Sequence, residues 1–190
     1  IAWQWKSVDY AVSERLGGTR VSNIFESTPL MFDDTLYLQT NLGVLAAIDP
    51  RTGETKWLWD PYLEEKPQRA NMGLGLNRGT GNWTSGDGER IFLVNSAHLV
   101  SLDAKTGKQV ASFGTDGRVD LRLGIRAEPL RAYHWTSPPL ICGDVVVLGN
   151  STLDPHNRKE SEPGYIRGYD AASGKLEWVF HIIPLAGEVG

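Results

Sequence analysis

The chain has 190 residues, a net charge of −4, 41% hydrophobic residues, 21 glycines, 10 prolines, seven tryptophans and a single cysteine. The acidic balance and the lack of any basic stripe exclude nucleic-acid binding, and no apolar run approaches membrane-spanning length. The lone Cys142 rules out a disulfide within the chain and reads as a small hydrophobe buried in a strand. No signal peptide is visible, and the start on Ile1 rather than Met is compatible with its removal.

In chain order, the first expected element is a hairpin in STPLMFDDTLYL, Ser27 to Leu38, where two apolar runs flank Asp33 and Asp34. AAIDPRTGETKW, Ala46 to Trp57, follows: a strand end, an Asp that opens a turn by bonding its own backbone, a Gly that supplies positive φ, then a new strand. The stretch from Glu64 to Trp83 is irregular, with glycines at 73, 75, 79 and 81 around Arg78. Glycine lets backbone approach a ligand closely and arginine grips carboxylates through paired bonds, but a flexible connection with one solvated Arg fits the same residues. The spacing matches neither a dinucleotide fingerprint nor a P-loop. TSGDGERIFLV, Thr84 to Val94, predicts a second hairpin.

The Asp-to-Gly phrase then returns as VSLDAKTGKQVA, Val100 to Ala111, and again as RGYDAASGKLEW, Arg167 to Trp178. Its glycines lie 54 and then 67 residues apart, at Gly53, Gly107 and Gly174. Between the last two copies, SPPLICGDVVVL, Ser137 to Leu148, repeats the first hairpin with proline on proline and Asp144 on Asp34. A self-similar period of this kind marks repeat architectures. A β-sandwich also alternates strands and turns, but does not write one phrase three times. The expected fold is therefore all-β: a β-propeller, of which the chain supplies about three four-stranded blades near residues 27–60, 84–114 and 136–184. Three blades do not close a propeller, which typically needs about four to eight, so a larger one is expected, the remaining blades being partners of this piece. Trp57 and Trp178 are expected to dock blade on blade, and Ala111, in the place of a third Trp, predicts looser packing by the second blade.

The third blade breaks the frame. In the first two, the strand centre precedes the Asp by 12 and 11 residues; in the third the interval is 23. The surplus falls in NSTLDPHNRKESEPG, Asn150 to Gly164, where Asp154, Asn157 and Glu162 offer oxygens suited to a hard cation such as calcium. A solvated surface loop has the same composition. His181 reads as a hydrogen-bonding residue at a strand end, and Arg167 as an internal salt bridge or backbone contact.

The phrases ESTPL (Glu26 to Leu30), NRG (Asn77 to Gly79), SLDAKTGK with FGTDGRVDL, TSPPLICGDVVVLG and GYIRGYDAASGKLEWVFHIIP occur in an order that resembles the quinoprotein dehydrogenases. These are eight-bladed propellers carrying pyrroloquinoline quinone (PQQ) and calcium, and the resemblance, to their N-terminal part, covers nearly the whole chain. It implies that Glu26 lies against the quinone, that Arg78 binds a PQQ carboxylate and that Thr136 reaches the cofactor. Ser151, Thr152 and Leu153 would bring small side chains to the quinone, and Asp154 would ligate calcium, with Glu162 as competitor. The catalytic base, an Asp, would fall beyond residue 190, so no catalytic residue is assigned within the chain. The resemblance further implies an alcohol or sugar substrate, cytochrome c or ubiquinone as electron acceptor, and the periplasm, with membrane association of the full-length form. Two features depart from the family. Met72-Gly73-Leu74 stands where many members have a vicinal disulfide, and the His that glucose enzymes place near there is missing, since His98 and His134 fall elsewhere. A scaffold propeller with no redox role, or a member that kept the fold and lost the chemistry, are the alternatives.

Overall fold

The structure is a computed structural model that describes residues 2–18, 25–63, 78–86, 88–125, 134–151 and 164–188. It holds three four-stranded antiparallel sheets, each a simple meander of consecutive strands. The first comprises β1 (Leu30–Phe32), β2 (Thr35–Gln39), β3 (Leu45–Ile48) and β4 (Thr55–Trp59). The second comprises β5 (Gly81–Ser85), β6 (Gly88–Asn95), β7 (His98–Asp103) and β8 (Arg118–Asp120). The third comprises β9 (Leu140–Cys142), β10 (Val145–Gly149), β11 (Tyr165–Asp170) and β12 (Leu176–His181).

Turn chemistry explains the meanders. Asp33 and Asp34 both take positive φ, 42° and 49°, as a two-residue hairpin matched to strand twist requires. Strands β1 and β2 close on them in the register Phe32 to Thr35. At the repeated phrase, Asp49, Asp103 and Asp170 each accept backbone N–H groups within their own turn, from Arg51, Thr106 and Ser173. Hydrogen bonding to Ser173 is the main reason the Asp170 carboxyl sits below the usual carboxylate range.

The sheets stack face to face, and the middle one explains why. Along β6, Ile91 and Leu93 point into the cluster shared with Tyr37, Leu45, Ala47 and Trp59 of the first sheet. Phe92 and Val94 alternate into the cluster shared with Trp135, Val146, Leu148, Tyr165 and Tyr169 of the third. A strand buried on both faces needs an unbroken apolar run, and Ile91 to Val94 is fully or almost fully buried.

The tryptophans dock as the repeat predicts for the first blade. The Trp57 indole donates to the Ala104 carbonyl at 3.1 Å, and its ring lies on Gly107. A Cβ at Gly107 would stand 2.5 Å from that ring, and φ there is +70°, so glycine is required on two counts. Trp3 repeats the arrangement one unit earlier, donating to Pro50 O at 2.9 Å with its ring on Gly53. Truncating the half-buried Trp57 to Ala is expected to cost about 2 kcal/mol, below the roughly 3–5 kcal/mol of a fully buried Trp. Urea denaturation of the variant against wild type measures it.

Four expectations change. The looser packing predicted from Ala111 is not seen, because other groups take the place of the ring: Gly174 meets Phe113 and Val119, and Gly114 N donates to Ser173 O at 2.8 Å. The outer strand of the second sheet is β8, beyond the phrase ending at Ala111. Cys142 is exposed rather than buried, because its side of β9 faces away from the second sheet. A short helix, α1 (Asp9–Arg15), was not expected; Val8, Val12 and Leu16 stripe it at helical spacing and pack with Leu42, Val44 and Tyr62. The outer face of the third sheet leaves Leu140, Trp178 and Phe180 open to solvent. No described helix is long and apolar enough to cross a membrane.

Candidate functional site

Chain segments just before the innermost strands of the three sheets are laced together by backbone bonds. Thr28 N donates to Arg78 O at 3.1 Å, and Arg78 N donates to Thr136 O at 3.2 Å. Thr28 and Gly79 form a parallel bridge. Such close approach needs bare backbone. A Cβ on Gly79 would stand 2.9 Å from Thr28 O at a φ of +136°, and one on Gly81 only 2.5 Å from Pro139 O. The two glycines therefore let the middle inner strand meet both neighbours.

This lacing brings three expected residues together. The Arg78 Nε donates to Glu26 Oε2 at 3.0 Å, and its Nη1 reaches the Thr136 hydroxyl at 3.5 Å. Both charged side chains are about half exposed, 49% for Arg78 and 40% for Glu26. An ion pair so wet contributes about 0–1 kcal/mol to stability, so its consequence is orientation: Glu26 holds the Nε edge of the guanidinium and Thr136 meets Nη1. Ser151 sits at the same end of the third sheet, where its N–H donates to His134 O at 2.7 Å and His134 N–H donates back at 3.1 Å. Thr152, Leu153 and Asp154, together with Glu162, lie outside the described residues, as does the run Met72-Gly73-Leu74.

The donor set suits a planar, anionic ligand. A half-exposed guanidinium whose free fork matches a carboxylate stands beside a hydroxyl on rigid strand-end backbone. Among the described residues no three His, Cys, Asp or Glu side chains group to hold a metal; the expected calcium ligand is Asp154. His134 lies two residues before Thr136 and bonds Ser151 through its backbone, at the same end of the third sheet.

Three stacked four-stranded meander sheets, the first docked on the second by Trp57 on Gly107, are blades of a β-propeller. Residues 1–189 match the model of the PQQ glucose/ethanol/alcohol dehydrogenase β-propeller domain, and the chain belongs to that quinoprotein family. It is 34% identical over 170 residues to the quinoprotein glucose dehydrogenase of Gluconobacter oxydans, covering 82% of this chain and 21% of that one. Against quinoprotein glucose dehydrogenase A of Acinetobacter calcoaceticus it is 33% identical over 196 residues, covering 95% and 24%. Among solved structures, the quinohemoprotein alcohol dehydrogenase of Comamonas testosteroni superposes with a TM-score of 0.65 at 25% identity, covering 85% of this chain and 21% of that one. The chain thus spans about a fifth to a quarter of the length of these relatives.

Proposed function

We propose that this chain forms the N-terminal blades of a PQQ- and calcium-dependent dehydrogenase that oxidises an alcohol or a sugar. The observation that carries the reading is the Glu26–Arg78–Thr136 cluster, held together across three blades by the Thr28–Arg78–Thr136 backbone bonds. A propeller that only displays a protein-binding surface has no need of a carboxylate-matched guanidinium buttressed in this way.

Arg78 would grip a carboxylate of the cofactor through its free N–H groups, with Glu26 fixing the guanidinium plane. Thr136 would donate its hydroxyl to a cofactor oxygen, and Ser151, Thr152 and Leu153 would line the quinone edge. Asp154 would contribute a carboxylate to calcium, a hard cation that takes oxygen ligands. When bound, calcium and the quinone supply the Lewis acid and the hydride acceptor for oxidation of the substrate carbon. The proton leaving the substrate hydroxyl needs a base, which this reading assigns to an Asp outside these 190 residues. Cytochrome c or ubiquinone would take the electrons, in the periplasm. Further blades of the same propeller would cover Leu140, Trp178 and Phe180 on the open face of the third sheet.

Titrating the full-length protein with PQQ, with and without calcium, tests the reading. Stoichiometric, calcium-dependent binding read from the quinone absorbance is the expected result. A folded protein that binds no PQQ in either condition would overturn it in favour of a scaffold.

A further inference from the structure

We propose that His134 is a further cofactor-binding residue, its imidazole meeting a polar oxygen of the bound quinone cofactor beside Thr136 and Ser151. The inference rests on the reading above and adds a residue to its site.

Three observations point the same way. His134 and Ser151 exchange both backbone hydrogen bonds, at 3.1 and 2.7 Å, so the two residues stand directly opposite each other at the end of the third sheet. In an antiparallel pair, opposed side chains project to the same face. Trp135, the next residue, is buried in the core between the second and third sheets, while Thr136 directs its hydroxyl to Arg78. Thr136 is two residues along from His134, and the proposed site has these two side chains on one face, away from that of Trp135. The imidazole is half buried and makes no side-chain hydrogen bond among the described residues, whereas Arg78 and Thr136 already contact each other. An imidazole opposite Ser151 and two residues from the hydroxyl that meets the Arg78 guanidinium suits an oxygen-rich anion: the guanidinium supplies the charge and the imidazole a directed donor.

The sequence shows why this position goes unnoticed. His134 belongs to the third blade, 56 residues beyond Arg78, and it is the long-range contacts between Arg78 and Thr136 that place the two on adjoining segments.

The test compares His134→Ala and His134→Gln with wild type and with Arg78→Ala in the full-length protein. PQQ affinity and the position of the bound-quinone absorbance band are measured, alongside the thermal midpoint without cofactor. A donor lost from a cofactor oxygen predicts about tenfold weaker binding in His134→Ala. It also predicts a displaced absorbance band, partial recovery in His134→Gln, whose amide still donates, and an unchanged cofactor-free midpoint. If His134→Ala binds within twofold of wild type with the same band while Arg78→Ala weakens binding, His134 lies off the cofactor and this inference alone fails. A lower midpoint with unchanged affinity would also overturn it, marking His134 as a purely structural residue. If wild type itself binds no PQQ, both readings fall together.

Discussion

Arg78→Ala is expected to weaken PQQ binding by on the order of 100-fold, the largest functional effect of any single substitution in these blades. A hydrogen bond to a charged group is worth roughly 1.5–3 kcal/mol when its partner is left without one, and each 1.4 kcal/mol is tenfold in affinity. Loss of a two-pronged grip on a carboxylate therefore reaches about two decades. The change also frees Glu26, whose carboxylate contacts the Arg78 Nε at 3.0 Å and would then face the cofactor's own negative charge. Arg78→Lys separates the two effects: it keeps the charge that neutralises Glu26 and loses the planar fork, so its affinity should fall between those of wild type and Arg78→Ala. Fold stability should move little in either variant, because the ion pair is half exposed. Equilibrium titration followed by tryptophan quenching provides the affinities, and values within twofold of wild type for Arg78→Ala would remove the residue from the site.

Why Arg78 could be singled out from sequence, and His134 could not, is a question of range. The repeated Asp-to-Gly phrase is local: each copy specifies its own turn through an Asp side chain bonded to N–H groups two or three residues on, so three copies announce three similar units. Hairpins such as Asp33-Asp34 are equally local, since the turn residues carry the conformation. Arg78 sat among glycines in a motif with a family meaning. The proximity of His134 to that site depends instead on three segments converging from different blades, which no short-range pattern encodes. The stripe Val8, Val12, Leu16 is a helical spacing legible in the sequence, and it packs on Leu42, Val44 and Tyr62. Cys142 illustrates a further limit. Its strand is apolar, but which side of a strand is covered depends on what stacks against the sheet, and the covered side of β9 is that of Ile141.

The Ala111 case leads to the largest expected effect on stability. The turn carbonyl that receives a tryptophan N–H in two units, Pro50 O from Trp3 and Ala104 O from Trp57, has its counterpart at Ala171 O, one residue past Asp170. Here the donor is Arg90, reaching from β6 of the second sheet: its Nη1 donates to Ala171 O at 3.1 Å and to Ala172 O at 2.7 Å. Arg90 is 8% exposed, and its guanidinium lies 5.1 Å from the centre of the Trp83 ring, whose own N–H donates to Asp144 in the third sheet at 3.0 Å. Arg90 and Trp83 together thus perform the docking that an outer-strand tryptophan performs elsewhere, from an inner position. Arg90→Ala would leave two carbonyls short of a donor, at roughly 1–3 kcal/mol for a buried group without its partner, and would remove a cation–π contact worth about 0.5–2 kcal/mol. The expected loss is about 3–4 kcal/mol, more than for Trp57→Ala and a large fraction of a typical folding free energy. Arg90→Lys should recover part of it, since an ammonium can satisfy a carbonyl but cannot span both while lying flat on the indole. Urea unfolding of the three proteins gives the ordering directly. A loss under about 1 kcal/mol for Arg90→Ala would mean that the two carbonyls find other donors, and that the join between the second and third blades rests on the apolar cluster around Phe92 and Phe113 with the Trp83–Asp144 and Gly114–Ser173 bonds.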